Sequence, residues 1–160
     1  NGRDTQYGPV FSQSNLPKGI VVLSSVFAGF IEALGSIQSI VGVDRIVYYS
    51  HPEILKAFQE NKIVELGEES QINEQLLYSL KPELIVSSSA ILKQSALIER
   101  CKALSIPILI CDNYLEQDPL ARAEWIKVFG IVLGKTTIAN QLFDSVVTNY
   151  NALKQQNLSQ

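Results

Sequence analysis

The chain has 160 residues, of which 46% are apolar and 18% charged, with a formal net charge of -3. These proportions suit one globular domain with a real core rather than a disordered segment. They leave no basic footprint for nucleic acid, and no apolar run reaches the ~20 residues that span a bilayer.

Residues 1–19 hold three glycines, two prolines and many polar residues, and read as an arm leading into the first strand. The opening NGRDTQYGP lacks the apolar core of a signal peptide. Residues 20–23 then form a four-residue apolar run suited to a strand buried on both faces. The period changes at once. Phe27, Phe30, Ile31 and Leu34 recur at helical spacing, Ser24 and Ser25 stand ready to cap that helix, and Gly35 ends it. A strand that turns through serines into a helix leaves backbone N–H groups at the C-terminal edge of a sheet, where α/β proteins bind ligands. An ordinary β–α turn has the same sequence.

Residues 40–43, IVGV, read as a second strand, and the loop 44–50 after it carries the adjacent aromatics Tyr48 and Tyr49. Ser50, Pro52 and Glu53 open a helix, with Ser50 as its candidate cap. Residues 62–66 form a brief third strand, followed by a polar loop in which Glu68 and Glu69 read as solvated. Leu76, Leu77 and Leu80 mark a short helix that must stop before Pro82. Residues 84–86 are a fourth strand, running into Ser87, Ser88 and Ser89, which can cap the next helix through Leu97, Ile98, Cys101 and Leu104. Residues 108–111 are a fifth strand, with Asp112, Asn113 and Tyr114 just beyond it. Asp118-Pro119 starts a helix expected to run to about Leu133, stopped by Gly134. The last helix, from about Thr137, keeps Ala139, Leu142, Phe143, Val146, Val147, Tyr150 and Leu153 in helical spacing. The polar tail QQNLSQ is expected to fray.

Strand–helix repeats with crossovers of this length predict a three-layer α/β domain, a mostly parallel sheet of about five strands flanked by helices. The loops after the first, second, fourth and fifth strands then meet at one edge. Their serines and aromatics suit a bulky ligand with polar groups, although turn chemistry accounts for each serine singly. Catalytic motifs are missing. Gly134-Lys135-Thr136 ends like a phosphate loop, but Phe129 stands where its first glycine belongs and the segment follows a helix. There is no GxGxxG or GxSxG motif. His51 is the one histidine, read as a helix-start residue, and Cys101 and Cys111 read as buried thiols with a disulfide left open. The reading is a non-enzyme without a cofactor.

The stretches VVLSSVFAGFIEALG, IVGV, HPEI (51–54), KIVELG, LLYSLKPELIV and CDNYLEQDPLARAEWIKVFGIVLGK are together similar to the substrate-binding proteins of ABC importers for cobalamin, ferric siderophores and haem, especially Bacteroidetes-type versions. The resemblance covers about residues 20–155. It implies an arm over 1–19, an N-terminal lobe over 20–134 and the start of an inter-lobe connector helix over 135–160, with the C-terminal lobe missing. It implies capture of a corrinoid or iron chelate and delivery to a membrane permease, in the periplasm, with a lipid anchor left open. By position it assigns the ligand wall to Ser24, Ser25, Val26, Phe27, Tyr48, Tyr49, Ser50, Ser87, Ser88, Ser89, Asn113 and Tyr114. It assigns permease docking to Glu74 or Gln75, because the family's docking glutamate falls on Gln75 with Glu74 beside it. A first-turn acid facing solvent is an equally good reading of Glu74. Two alternatives stay open, a stand-alone α/β protein-interaction domain and a small cofactor-dependent enzyme with Asp112 as its acid.

Overall fold

The computed structural model describes residues 16–158; the expectation for residues 1–15 lies outside that range. The chain alternates β1 (Ile20–Val22), α1 (Ser25–Ala33), β2 (Ile40–Val43), α2 (Pro52–Gln59), β3 (Val64–Glu65), α3 (Glu74–Ser79), β4 (Leu84–Ser87), α4 (Ser95–Ala103) and β5 (Ile108–Ile110). Three helices follow, α5 (Pro119–Glu124), α6 (Ile126–Val132) and α7 (Thr136–Leu158). The strands form one all-parallel sheet in the order β3-β2-β1-β4-β5. β1 lies at its centre, with Ile20 paired to Ile40 on one side and Leu84 on the other.

Both faces of the sheet are covered, which is why the strands are almost entirely apolar, with Glu65 on the edge strand β3 and Ser87 at the end of β4 as exceptions. Ile20, Val22, Leu84 and Val86 face a core built with Phe27 and Ile31 of α1, Ile54 of α2, Phe129 of α6 and Ala139 of α7. Val21, Leu23 and Ile85 face a second core with Leu77 of α3 and Leu97 and Cys101 of α4. The three-layer α/β architecture expected from the repeats is the one observed.

Local chemistry sets the element ends. The Ser24 hydroxyl accepts from the Val26 N–H at 3.3 Å and opens α1, and Gly35 follows it at φ +63°. Asn73 caps α3, and Asp118 caps α5 ahead of Pro119. Other expectations need correction. His51, not Ser50, precedes α2, and no side chain caps that helix. Ser88 caps a 3₁₀ turn, Ser89–Lys93, so α4 begins only at Ser95 without a side-chain cap. Leu104 lies past the end of α4 and is exposed. The single helix expected from Leu120 to Leu133 divides at Trp125. There the indole N–H donates to Glu116 at 3.2 Å and the Val128 N–H reaches the Trp125 carbonyl three residues back, a 3₁₀-type contact. Of the tail expected to fray, residues 155–158 belong to the last helix, and 159–160 lie outside the described residues.

α7 packs closely on α6 because a Cβ on Gly130 would sit 2.4 Å from that of Ala139. Its first half buries Ala139 and partly buries Leu142 and Phe143. Further along, Val146, Tyr150 and Leu153 share one face and are 42%, 36% and 60% exposed. Among the described residues no helix is long and apolar enough to cross a membrane.

Candidate functional site

The chain leaves β1 towards the face carrying α1 and leaves the adjacent β4 towards the face carrying α4. Neighbouring strands whose loops diverge in this way create a crevice at the sheet's C-terminal edge. An open cavity of about 500 Å³ lies there. Every strand contributes to it: Leu23, Ser24, Ser25, Val26 and Phe27 after β1, Asp44 and Tyr48 after β2, Glu69 after β3, Ser88 after β4, and Asn113 and Tyr114 after β5, with Arg122 from α5.

Of the residues assigned to a ligand wall, Ser24, Ser25, Val26, Phe27, Tyr48, Ser88, Asn113 and Tyr114 come together around this cavity. Val26, Tyr48 and Tyr114 stand on it half exposed, at 51%, 51% and 55%. The Tyr48 hydroxyl donates to Glu68 at 2.9 Å, and that acceptor raises its pKa. Arg45 also contacts Glu68, at 3.3 Å.

Four assigned residues do not line the cavity. Tyr49 is turned into the core, 4% exposed, with its hydroxyl 2.7 Å from Asp44 Oδ1 and 3.0 Å from the Val22 carbonyl. Burial raises its pKa strongly, and burial also raises that of Asp44. Ser50 is exposed beyond it. Ser87 is fully buried, and its hydroxyl donates to Glu69 at 2.5 Å. Ser89 gives its backbone N–H to Asp112 Oδ1 at 2.8 Å.

Glu69 is therefore no solvated loop acid. One carboxylate oxygen also accepts from the Ser88 N–H at 3.2 Å and the Ser88 hydroxyl at 3.1 Å, and its backbone carbonyl accepts from the Gln94 amide. It ties the loop after β3 to the loop after β4. Four lining residues escaped the sequence reading. Leu23 and Asp44 directly follow strands, a usable signal. Glu69 reads by sequence as a solvated loop acid, and no pattern reveals that Arg122, one turn into α5, reaches back to the edge. Glu74 and Gln75 are exposed in the first turn of α3, away from the cavity lining, and Glu74 accepts from the Tyr78 hydroxyl at 2.9 Å.

No family model matches the chain. Solved structures do match. The periplasmic haem-binding protein HutB of Vibrio cholerae superposes with a TM-score of 0.68 at 21% identity, over 86% of this chain and 49% of that one. The periplasmic vitamin B12-binding protein BtuF of Vibrio cholerae superposes with a TM-score of 0.66 at 16% identity, over 89% of this chain and 52% of that one. The chain thus has the fold of one lobe of a periplasmic binding protein. In sequence it is similar to the uncharacterized lipoprotein MJ0878 of Methanocaldococcus jannaschii, 28% identical over 149 residues, 89% of this chain and 36% of that protein. The chain spans about half the length of these solved proteins and about a third of its curated relative.

Proposed function

We propose that this chain is the N-terminal, ligand-capturing lobe of a substrate-binding protein of an ABC importer, without catalysis. It takes a corrinoid or an iron chelate, haem or a ferric siderophore, in the periplasm. The observation that carries this reading is the open cavity at the switch point of a lobe whose fold matches periplasmic haem- and B12-binding proteins. Its half-exposed tyrosines suit stacking on a flat metal chelate. The lipoprotein relative supports a site in the cell envelope and an optional lipid anchor. The uncovered stripe Val146, Tyr150 and Leu153 supports α7 as a connector to a second lobe that completes the cleft. The exposed Glu74 and Gln75 are the surface offered to the permease. Calorimetric titration of the full-length protein with haemin, cyanocobalamin and a ferric hydroxamate tests the reading. One-to-one binding of any of them supports it and names the cargo. Silence with all three refutes it and favours a protein-interaction domain.

A further inference from the structure

The polar groups of the cavity divide sharply into those already engaged and those left open. Asp44 receives the Tyr49 hydroxyl, and Glu69 receives three donors from Ser87 and Ser88. Both acids are thus turned into the scaffold. Arg122 is the cation lining the cavity among the described residues, and it makes no ion pair there. Its Nε donates to the Glu116 carbonyl at 2.9 Å, which fixes the plane of the guanidinium while leaving the terminal N–H groups without acceptors among the described residues. Asn113 is 8% exposed, and its side-chain amide makes no hydrogen bond among the described residues although it lines the same cavity. The residue is largely buried, but its unbonded amide atoms keep access to solvent at the cavity and are open to a ligand there.

We infer that Arg122 and Asn113 form an oxyanion subsite that selects chelates bearing a carboxylate. A guanidinium held by Nε presents parallel N–H donors that match the two oxygens of a carboxylate, and the amide N–H₂ supplies a further donor. Tyr48 and Tyr114, on the same cavity, take the flat body of the ligand. The ligand class is an iron chelate with peripheral carboxylates, in preference to a neutral hydroxamate or an amide-decorated corrinoid. This inference rests on the capture reading above.

The test compares haemin with its dimethyl ester, which keeps the ring and iron and removes the carboxylates. Cyanocobalamin and ferrichrome serve as carboxylate-free probes. The full-length wild type, Arg122→Gln, Arg122→Lys and Asn113→Asp are titrated alike. Arg122 is exposed and caps nothing, so the Gln variant should fold, checked by its urea midpoint. The wild type should bind haemin at least about tenfold more tightly than the ester, as one charge-assisted pair implies. Arg122→Gln should lose that preference while its affinity for the ester stays unchanged. Arg122→Lys should fall between, and Asn113→Asp should weaken haemin binding by setting carboxylate against carboxylate. Equal binding of haemin and ester by the wild type overturns the subsite and leaves the capture reading standing. So does tight binding of cyanocobalamin or ferrichrome that Arg122→Gln does not alter. Silence with every probe overturns both.

Discussion

Replacing Glu69 with alanine gives a direct measure of how the candidate site is held together. The substitution strips an acceptor from the Ser87 hydroxyl at 2.5 Å, the Ser88 N–H at 3.2 Å and the Ser88 hydroxyl at 3.1 Å. Ser87 is fully buried, so its hydroxyl cannot turn to water. Bonds to a charged acceptor contribute about 1.5–3 kcal/mol each when buried. Glu69 is only partly buried, and neighbouring bonds are not additive, so the three together contribute about 2–3 kcal/mol. Glu69→Gln keeps a carbonyl acceptor and should lose about 1 kcal/mol. Urea unfolding is the assay. With an m-value of about 2 kcal/mol/M, Glu69→Ala should lower the midpoint by about 1–1.5 M with the slope unchanged. Glu68→Ala is the reference. Its contacts with Arg45 and Tyr48 are exposed and screened by solvent, and it should move the midpoint by less than about 0.3 M. Equal midpoints for the two variants would refute the reasoning and return Glu69 to the status of a solvated acid.

Three other outcomes are expected. Burial holds the Asp44 pKa above its ordinary 3.8, so the folded state keeps a proton that the unfolded state releases. That contribution is complete below pH 3.8 and is lost as pH rises through the folded value, so Asp44→Asn should gain on the wild type with rising pH. A stability difference that stays flat from acid to neutral pH in urea titrations would contradict this. Phe129→Ala removes a fully buried ring whose centroid lies 5.0 Å from Phe30 and 6.3 Å from Phe27. It should cost about 3–5 kcal/mol by the same assay, and a loss under about 1 kcal/mol would show that the core closes over the gap. Burial pushes the Cys111 thiol up to about 11 and raises Cys101 as well. An aromatic disulfide reagent at pH 8 should therefore label neither in the native protein and both in urea, and native labelling of either would sink this account of the core.

The strands and most of the helix caps were legible because their signals are local. Residues 40–43 form β2 as read, and Ser24, Asp118 and Gly134 end or begin helices as their chemistry suggests. What failed was non-local. Trp125 looks like a mid-helix residue until Glu116, nine residues back, is seen to take its indole N–H. Tyr49 looks like an exposed loop aromatic until β1 offers its Val22 carbonyl. The serine run after β4 reads alike at each position, yet Ser87 is buried, Ser88 lines the cavity and Ser89 contributes only its backbone N–H. An alternating strand exit points successive side chains in different directions, and residue type alone does not say which one meets the cavity.

That division explains how the edge can be both rigid and open. The loop after β4 is pinned on one side by Glu69 and on the other by Asp112, two acids from the loops after β3 and β5. The loop after β2 is pinned by Asp44 through Tyr49 to the end of β1. Each acid uses its charge within the scaffold, so the lining is not dominated by free carboxylates, although three acidic loops converge there. The groups without internal partners among the described residues are of a different kind: the Ser25 and Tyr114 hydroxyls, the Asn113 amide and the outer guanidinium of Arg122. Most are donors or groups able to donate, set beside aromatic faces. A scaffold that uses its acids for loop-to-loop bonds and leaves its donors open is suited to an anion on a flat body, and it presents that surface without needing to rearrange.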